Sequence, residues 1–202
     1  MKVVAFENRH LDEVTDLHME AFNEHLNVLL GKKYIKAFLA WFLQTDGCVN
    51  VVGENEMGKA MGYIVGAPWG YQQGMNKALL KTAAIEMAKR PWIFVHKKIM
   101  QSVWLRVKTI LGLNKFIQTT GERYAGKIIS LVGIGVSPDA MGSGIAKDMM
   151  DVFIAEATKK HYDYARLSVY VSNARARKFY EKCGWLPEHS QTAVMGYYKK
   201  LK

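Results

Sequence analysis

Short β-branched apolar runs alternate along this chain with longer stretches whose apolar positions recur three and four residues apart. A side chain returns to the same face every second residue in a strand and every third or fourth in a helix, so the two spacings separate the elements. Lys2–Phe6 reads as a first strand, ended by the polar Glu7, Asn8 and Arg9. Leu11, Val14, Leu17, Ala21 and Phe22 predict an amphipathic helix. Tyr34, Ile35, Phe38, Leu39 and Phe42 predict a second, stopped near Gly47. Strands follow around Val49–Gly53 and Ala60–Gly66, and the polar, glycine-containing Glu54–Gly58 between them suits a hairpin turn.

The stretch Pro68–Gly126 breaks this rhythm. It is long and basic, with an apolar stripe of Trp92, Ile99, Val103, Val107 and Ile110, and it is punctuated by Gly70, Gly74, Pro91, Gly112 and Gly121. It reads as two or three helices inserted between strands, too small and too amphipathic to fold alone. From Ile128 the pattern tightens. Ile128–Val136 predicts a strand, Gly142–Lys160 a helix, Ala165–Val171 a strand and Ala174–Cys183 a short helix. One or two closing strands follow Trp185, the last around Val194–Leu201. No internal repeat or low-complexity linker interrupts the chain, and its 202 residues fit a single domain over 1–202, with the insertion at about 69–126.

Charge sharpens the picture of the insertion. Gly70–Lys127 holds eleven Lys and Arg against Glu86 and Glu122, and so carries nine of the ten net positive charges. A local excess of this kind points to a specific anionic neighbour. Three readings fit it: an amphipathic cover or homodimer contact with solvated lysines, recognition of an anionic acceptor, and peripheral contact with an anionic membrane through Trp92, Phe94 and Trp104. No groove-reading motif or stacking array of aromatics marks the chain as a specific nucleic-acid binder. No signal peptide opens it and no apolar run is long enough to span a bilayer. Cys48 and Cys183 lie far apart, which suits a reducing, cytoplasmic setting, and the six histidines make no metal-binding spacing.

The chemistry is concentrated after the Ile128–Val136 strand, in Met141-Gly142-Ser143-Gly144-Ile145-Ala146. Glycines at a strand–helix junction expose backbone N–H groups, and the first N–H groups of a helix are unpaired and lie at its positive end. Together they make a phosphate or pyrophosphate site. No Walker A string is present, and Lys147 stands where a dinucleotide fingerprint needs its third glycine. A glycine-rich turn without a ligand is the plainer alternative for the pair taken by itself.

The downstream residues bear on that choice. Residues 141–146 resemble the loop Gln/Arg-x-x-Gly-x-Gly/Ala of the GNAT superfamily of N-acetyltransferases, with Met141 in place of the usual Gln or Arg. After the next strand comes Asn173, then a helix ending Phe179-Tyr180-Glu181-Lys182-Cys183-Gly184-Trp185, similar to the Asn and the Phe-Tyr-Glu-x-x-Gly-Phe of that family. The resemblance is clearest over Ile128–Lys202. It implies an α/β (α+β) fold: a central mixed, mostly antiparallel sheet flanked by helices, with the basic helical insertion between the third and fourth strands. It also implies acetyl-CoA as co-substrate, an amine acceptor and no metal.

By the same resemblance, the pantetheine arm runs beside Ile134, Gly135 and Val136, and the pyrophosphate sits on N–H groups from Met141 to Ala146 (Met141, Gly142, Ser143, Gly144, Ile145, Ala146). Asn173 orients the arm, and Lys147 is positioned to make up for Met141. Tyr180 is the expected proton donor to the departing thiolate; packing beside Phe179 is its alternative role. Many members of the family carry a Glu on the long strand, where this chain has Ser130. Glu20, Glu24 and His25 are the other candidates for a base, and none is assigned. Cys183 stands at a packing position. The acceptor expected is a small, anionic primary amine such as a nucleotide-linked amino sugar. A protein or peptide amine, and a degenerate fold serving as an acyl-CoA-binding or interaction module, are the alternatives.

Overall fold

The β-branched amino terminus forms an edge strand, β1 (Lys2–Ala5), and six further strands complete one sheet: β2 (Val49–Glu54), β3 (Ala60–Pro68), β4 (Ile128–Val136), β5 (Tyr164–Tyr170), β6 (Leu186–Pro187) and β7 (Val194–Lys200). The structure is a computed structural model and describes residues 1–22, 26–90, 92, 101, 104, 125–188 and 193–202. The strand order is β1-β2-β3-β4-β5-β7-β6. Every neighbouring pair is antiparallel except β4 and β5, which run parallel.

Helices cover both faces of the sheet. On one lie α1 (Leu11–Ala21), α2 (Leu26–Leu29), α3 (Lys32–Gln44) and α4 (Gln72–Ala88). Val14, Leu17, Ile35, Phe38, Leu39 and Phe42 join Val52, Tyr63 and Val65 in a first core there. On the other lie α5 (Ile145–Lys159) and α6 (Ala174–Lys182), where Ile145, Met149 and Phe153 pack on Ile64, Ile129 and Leu131 in a second core. With both faces covered, β2 and β3 are buried almost throughout, which is why they read as continuous apolar runs. Glycines let α5 lie flush on the sheet. A Cβ at Gly62 would stand 2.7 Å from Met149 and one at Gly66 would stand 2.5 Å from Phe153.

These are the expected elements, shifted by a few residues at their ends. The Gly142–Lys160 helix begins only at Ile145, because Gly142 and Gly144 take left-handed conformations that no helix continues through (φ +83° and +91°). Within the insertion, α4 runs from Gln72 to Ala88 and buries Leu79 in the first core, with Met75, Ala83 and Met87 packed around it. The expected stripe of Ile99, Val103, Val107 and Ile110 lies outside the described residues. Trp92 and Trp104 are described, and both are exposed. Among the described residues no helix is long and apolar enough to cross a membrane.

Candidate active site

The parallel pairing of β4 and β5 lasts for only three register positions, Ile128 with Tyr164, Ile129 with Ala165 and Ser130 with Arg166. Beyond them the strands part. Leu131–Val136 stay paired to β3 on one edge, and Leu167–Tyr170 stay paired to β7 on the other. A wedge opens between, lined by backbone N–H and C=O groups without a strand partner.

A bulge in β4 accompanies the parting. Gly66 faces Leu131 and Val65 faces Gly133, so Val132 is an extra residue in the β4 strand. Such an insertion bends the strand and strengthens its local twist. Ile134 and Val136 then turn to the second core, and Gly133 and Gly135 turn toward Tyr63 on the first.

At the wide end of the wedge the chain passes through a 3-10 turn at Pro138–Ala140 into the glycine loop and α5. The Met141 N–H donates to the Pro138 carbonyl and the Ser143 N–H to that of Ala140, while the Ser143 hydroxyl donates to the same Ala140 carbonyl. The Ile145 N–H reaches Ser143 Oγ at 3.3 Å. The N–H groups of Gly142, Gly144 and Ala146 have no such partner among the described residues. No atom stands within 4 Å of where a Cβ would be at either loop glycine. The loop is thus an open cradle at the positive end of a helix.

Met141 is half exposed on the rim and brings no charge. Lys147, one turn into α5, forms an ion pair with Asp151 at 2.5 Å, an exposed contact that a competing anion can replace at little cost. Asn173 sits just before α6, where its side-chain oxygen accepts the Ala176 N–H and caps the helix. Its amide NH2 has no partner among the described residues.

Tyr180 lies in the second core with Leu131 and Leu167, the first two residues past the point of parting. Its ring packs among Phe179, Trp185 and Tyr197. Burial pushes its hydroxyl up to about 12, and that hydroxyl has no hydrogen-bond partner among the described residues. Nearby Cys183 is partly buried, and burial likewise raises its thiol above the ordinary value.

On the opposite face the closed end of the wedge carries Ser130, which stands where many members of the family have a Glu, and Arg166, which no motif announced. Ser130 is 7% exposed, and its hydroxyl is without a hydrogen-bond partner among the described residues. Its register partner Arg166 forms an ion pair with Glu188 and lies over the Trp69 ring, 4.6 Å from the centroid. Among the expected bases, Glu20 is exposed, whereas Glu24 and His25 lie outside the described residues. The histidine that does reach this face is His18, which packs on Phe22 and Phe38 and meets the Tyr63 hydroxyl at 2.5 Å. Its signal in the sequence was a polar residue on the Val14–Leu17–Phe22 stripe. Among the described residues no group of three His, Cys, Asp or Glu is placed to hold a metal ion.

The parted strands lead to a glycine loop at a helix terminus on one side of a mostly antiparallel sheet. The model of the acetyltransferase (GNAT) family matches residues 11–185, and the chain belongs to that family. It is an N-acetyltransferase by fold and family, and the family uses acetyl-CoA as its co-substrate. Compared by sequence alone, no curated protein matches the chain.

Among solved structures, SsHAT is similar over 100% of this chain and 98% of its own, at 17% identity and a TM-score of 0.68. The ribosomal-protein-alanine N-acetyltransferase of Brucella melitensis is similar over 99% of each chain, at 13% identity and a TM-score of 0.61. A phosphinothricin acetyltransferase from Sinorhizobium meliloti, solved with acetyl-CoA, is similar over 98% of this chain and 87% of its own, at 10% identity and a TM-score of 0.61.

Proposed function

We propose that the protein moves the acetyl group of acetyl-CoA directly to the primary amine of a small anionic acceptor, such as a nucleotide-linked amino sugar. The observation that carries this reading is the loss of β4–β5 pairing after Ser130 and Arg166, in line with the glycine cradle. The unpaired edge beside Ile134, Gly135 and Val136 suits the amide groups of a pantetheine arm. A pyrophosphate fits the N–H groups of Gly142, Gly144 and Ala146, with Ile145 at the edge of the cradle and Met141 and Ser143 shaping its turns. Asn173, fixed at the start of α6 by its bond to the Ala176 N–H, supports a role for its amide in orienting the arm.

Acetyl-CoA supplies an activated thioester, and this chain's own residues hold it and manage the protons. Tyr180 at about 12 is a weaker acid than an ordinary thiol at about 8.5. Handing its proton outright to a thiolate would cost about 5 kcal/mol. Its role is therefore to donate a hydrogen bond to the sulfur as charge develops, which stabilises the transition state more than the ground state.

The preference for an anion rests on the position of the basic segment. The insertion leaves β3 at Trp69, whose N–H donates to the Ile128 carbonyl and whose ring carries Arg166. The segment that follows Trp69 thus starts at the closed end of the wedge, and its sequence carries nine of the ten net positive charges. The test is free-thiol release from acetyl-CoA with a uridine-diphosphate-linked amino sugar, the free amino sugar and an alanine-terminated peptide. Release is expected with the nucleotide-linked sugar first. Release with the peptide alone would reassign the acceptor to protein. Coenzyme binding by calorimetry with no release from any of the three would make the chain an acyl-CoA-binding module.

A further inference from the structure

We infer that the outward face of α4, with Trp92 beyond its end, is a peripheral docking surface for an anionic lipid bilayer. The inference is independent of the transfer reaction proposed above, since no residue of this face belongs to the wedge or the glycine loop.

α4 is a helix with two apolar sides. Met75, Leu79, Ala83 and Met87 meet the first core. On the other side Lys77, Lys81, Ala84 and Ala88 recur at helical spacing and form one continuous row. Leu80 and Ile85 flank that row and are 49% and 46% exposed. The solvent side of a surface helix ordinarily carries charged and polar residues. Beyond Gly74, the exposed polar residues of α4 are Lys77 and Lys81 alone.

Trp92 follows the same helix. The Arg90 N–H donates to the Met87 carbonyl, so the chain keeps its turn that far, and the Arg90 guanidinium packs against Gly31. Trp92, two residues on, is 59% exposed, and Trp104 in the same segment is 60% exposed. An indole has a large apolar body and one polar N–H, a combination favoured where hydrocarbon meets water.

The charge of this face has one sign. Glu86, the one acid of α4, is buried and holds Lys89 at 2.6 Å and Arg90 at 2.7 Å. Among the described residues no carboxylate forms an ion pair with Lys77 or Lys81. Over Gly70–Lys127 the sequence has Glu122 as its only other acid.

These features select the occupant. A second copy docked about a two-fold axis would set a basic face against itself. A nucleic acid would meet the lysines and leave Leu80 and Ile85 uncovered. An anionic bilayer suits both kinds of residue. Its headgroups take the ammonium groups at the ends of their apolar stems, and its interfacial layer takes Leu80, Ile85 and Trp92. The contact lies in the plane of the interface; among the described residues no helix is long and apolar enough to cross a membrane.

The test is co-sedimentation of the full chain with vesicles of phosphatidylcholine alone and of phosphatidylcholine with about 30% phosphatidylserine, at low and high salt. Retention on the phosphatidylserine vesicles at low salt is expected to exceed that on phosphatidylcholine by about tenfold or more, and to fall as salt is raised. Lys77→Glu with Lys81→Glu should weaken it by about tenfold or more. Leu80→Ser with Ile85→Ser should weaken it by about tenfold, and Trp92→Ala by about fivefold. Circular dichroism and acetyl-CoA calorimetry check that each variant is folded, and Trp92→Ala, which lies outside α4, carries the test if a double variant loses its helical signal. Equal retention on the two kinds of vesicle, retention on neither, or wild-type retention in every variant would overturn the assignment. Retention lost in the lysine variant but kept in the serine and Trp92→Ala variants would mark simple polyanion binding and overturn it as well. A dimer in sedimentation equilibrium that the serine variant dissociates, with no retention on vesicles, would make the face a contact between copies instead.

Discussion

Ser130 and Arg166 face each other as the last paired residues of β4 and β5. Arg166 is also held by Glu188 from the segment after β6 and by the face of Trp69 at the end of β3. One buried guanidinium therefore ties three segments together at the closed end of the wedge. The glycine loop at the other end presents backbone N–H groups, its turn held in part by the Ser143 hydroxyl. The site is a gap in a sheet, pinned at one end and capped by a helix terminus at the other.

The pin can be tested by removal. Arg166→Ala leaves the largely buried Glu188 carboxylate without its cation, a loss of about 3–5 kcal/mol for buried pairs. At this chain length that corresponds to a fall of about 8–15 °C in the thermal midpoint, read by calorimetry or circular dichroism. Arg166→Met, which fills the volume without the charge, is expected to fall as far, because Glu188 loses this ion pair in both. The double change with Glu188→Gln should recover most of the loss.

Met141 offers a gain of function. Met141→Arg places a cation on the rim of a cradle whose backbone donors are already in position, and should tighten acetyl-CoA binding about three- to tenfold at low salt. The gain should shrink as salt is raised, because the side chain is half exposed. Calorimetry at two ionic strengths checks both the sign and the salt dependence. An unchanged affinity at low salt would place the pyrophosphate away from residue 141.

Tyr180→Phe keeps the ring among Trp185 and Tyr197 and deletes only the hydroxyl. Turnover should fall by about 10- to 100-fold with coenzyme affinity unchanged, because the hydrogen bond proposed for this hydroxyl is made to a charge that exists only as the C–S bond breaks. Equal turnover in a thiol-release assay would leave Tyr180 a packing residue.

Stability should fall at both extremes of pH, for opposite reasons. Burial holds Tyr71 and Tyr180 at about 12 in the folded chain, against about 10 when unfolded. Above pH 10 the unfolded state has therefore lost protons that the folded state keeps, and stability declines from pH 10 toward 12. At the acid end, the Glu54 carboxylate is held at about 2, chiefly by a hydrogen bond from His10, with Lys2 and Arg9 also paired to it. Its contribution is present above its ordinary 4.5 and is lost as pH falls through about 2. Thermal midpoints across pH 2–12 check both limbs, and Glu54→Gln should flatten the acid one.

Much of this arrangement was legible in the residues. The 2- and 3.6-residue periods located the strands and the helices α1 and α3, because each element has a face that must be buried. Gly142 and Gly144 marked the junction at which α5 begins. Asn173 and Tyr180 followed in the expected order. The capping role of Asn173 and the internal hydrogen bonds of Met141 and Ser143 were not legible, since they depend on the local path of the chain.

The sequence by itself determined which segments form strands and helices, where the glycine loop lies and which family the chain resembles. These are local properties, fixed by periodicity, by glycine's tolerance of positive φ and by motif order. Only the tertiary structure decided that β4 and β5 part after Ser130 and Arg166, that Val132 is an extra residue in its strand, and that His18 meets Tyr63 across forty-five positions of the chain. Register, bulge and cross-strand partners depend on which strands meet and how α5 packs beneath them. No window of neighbouring residues carries that information.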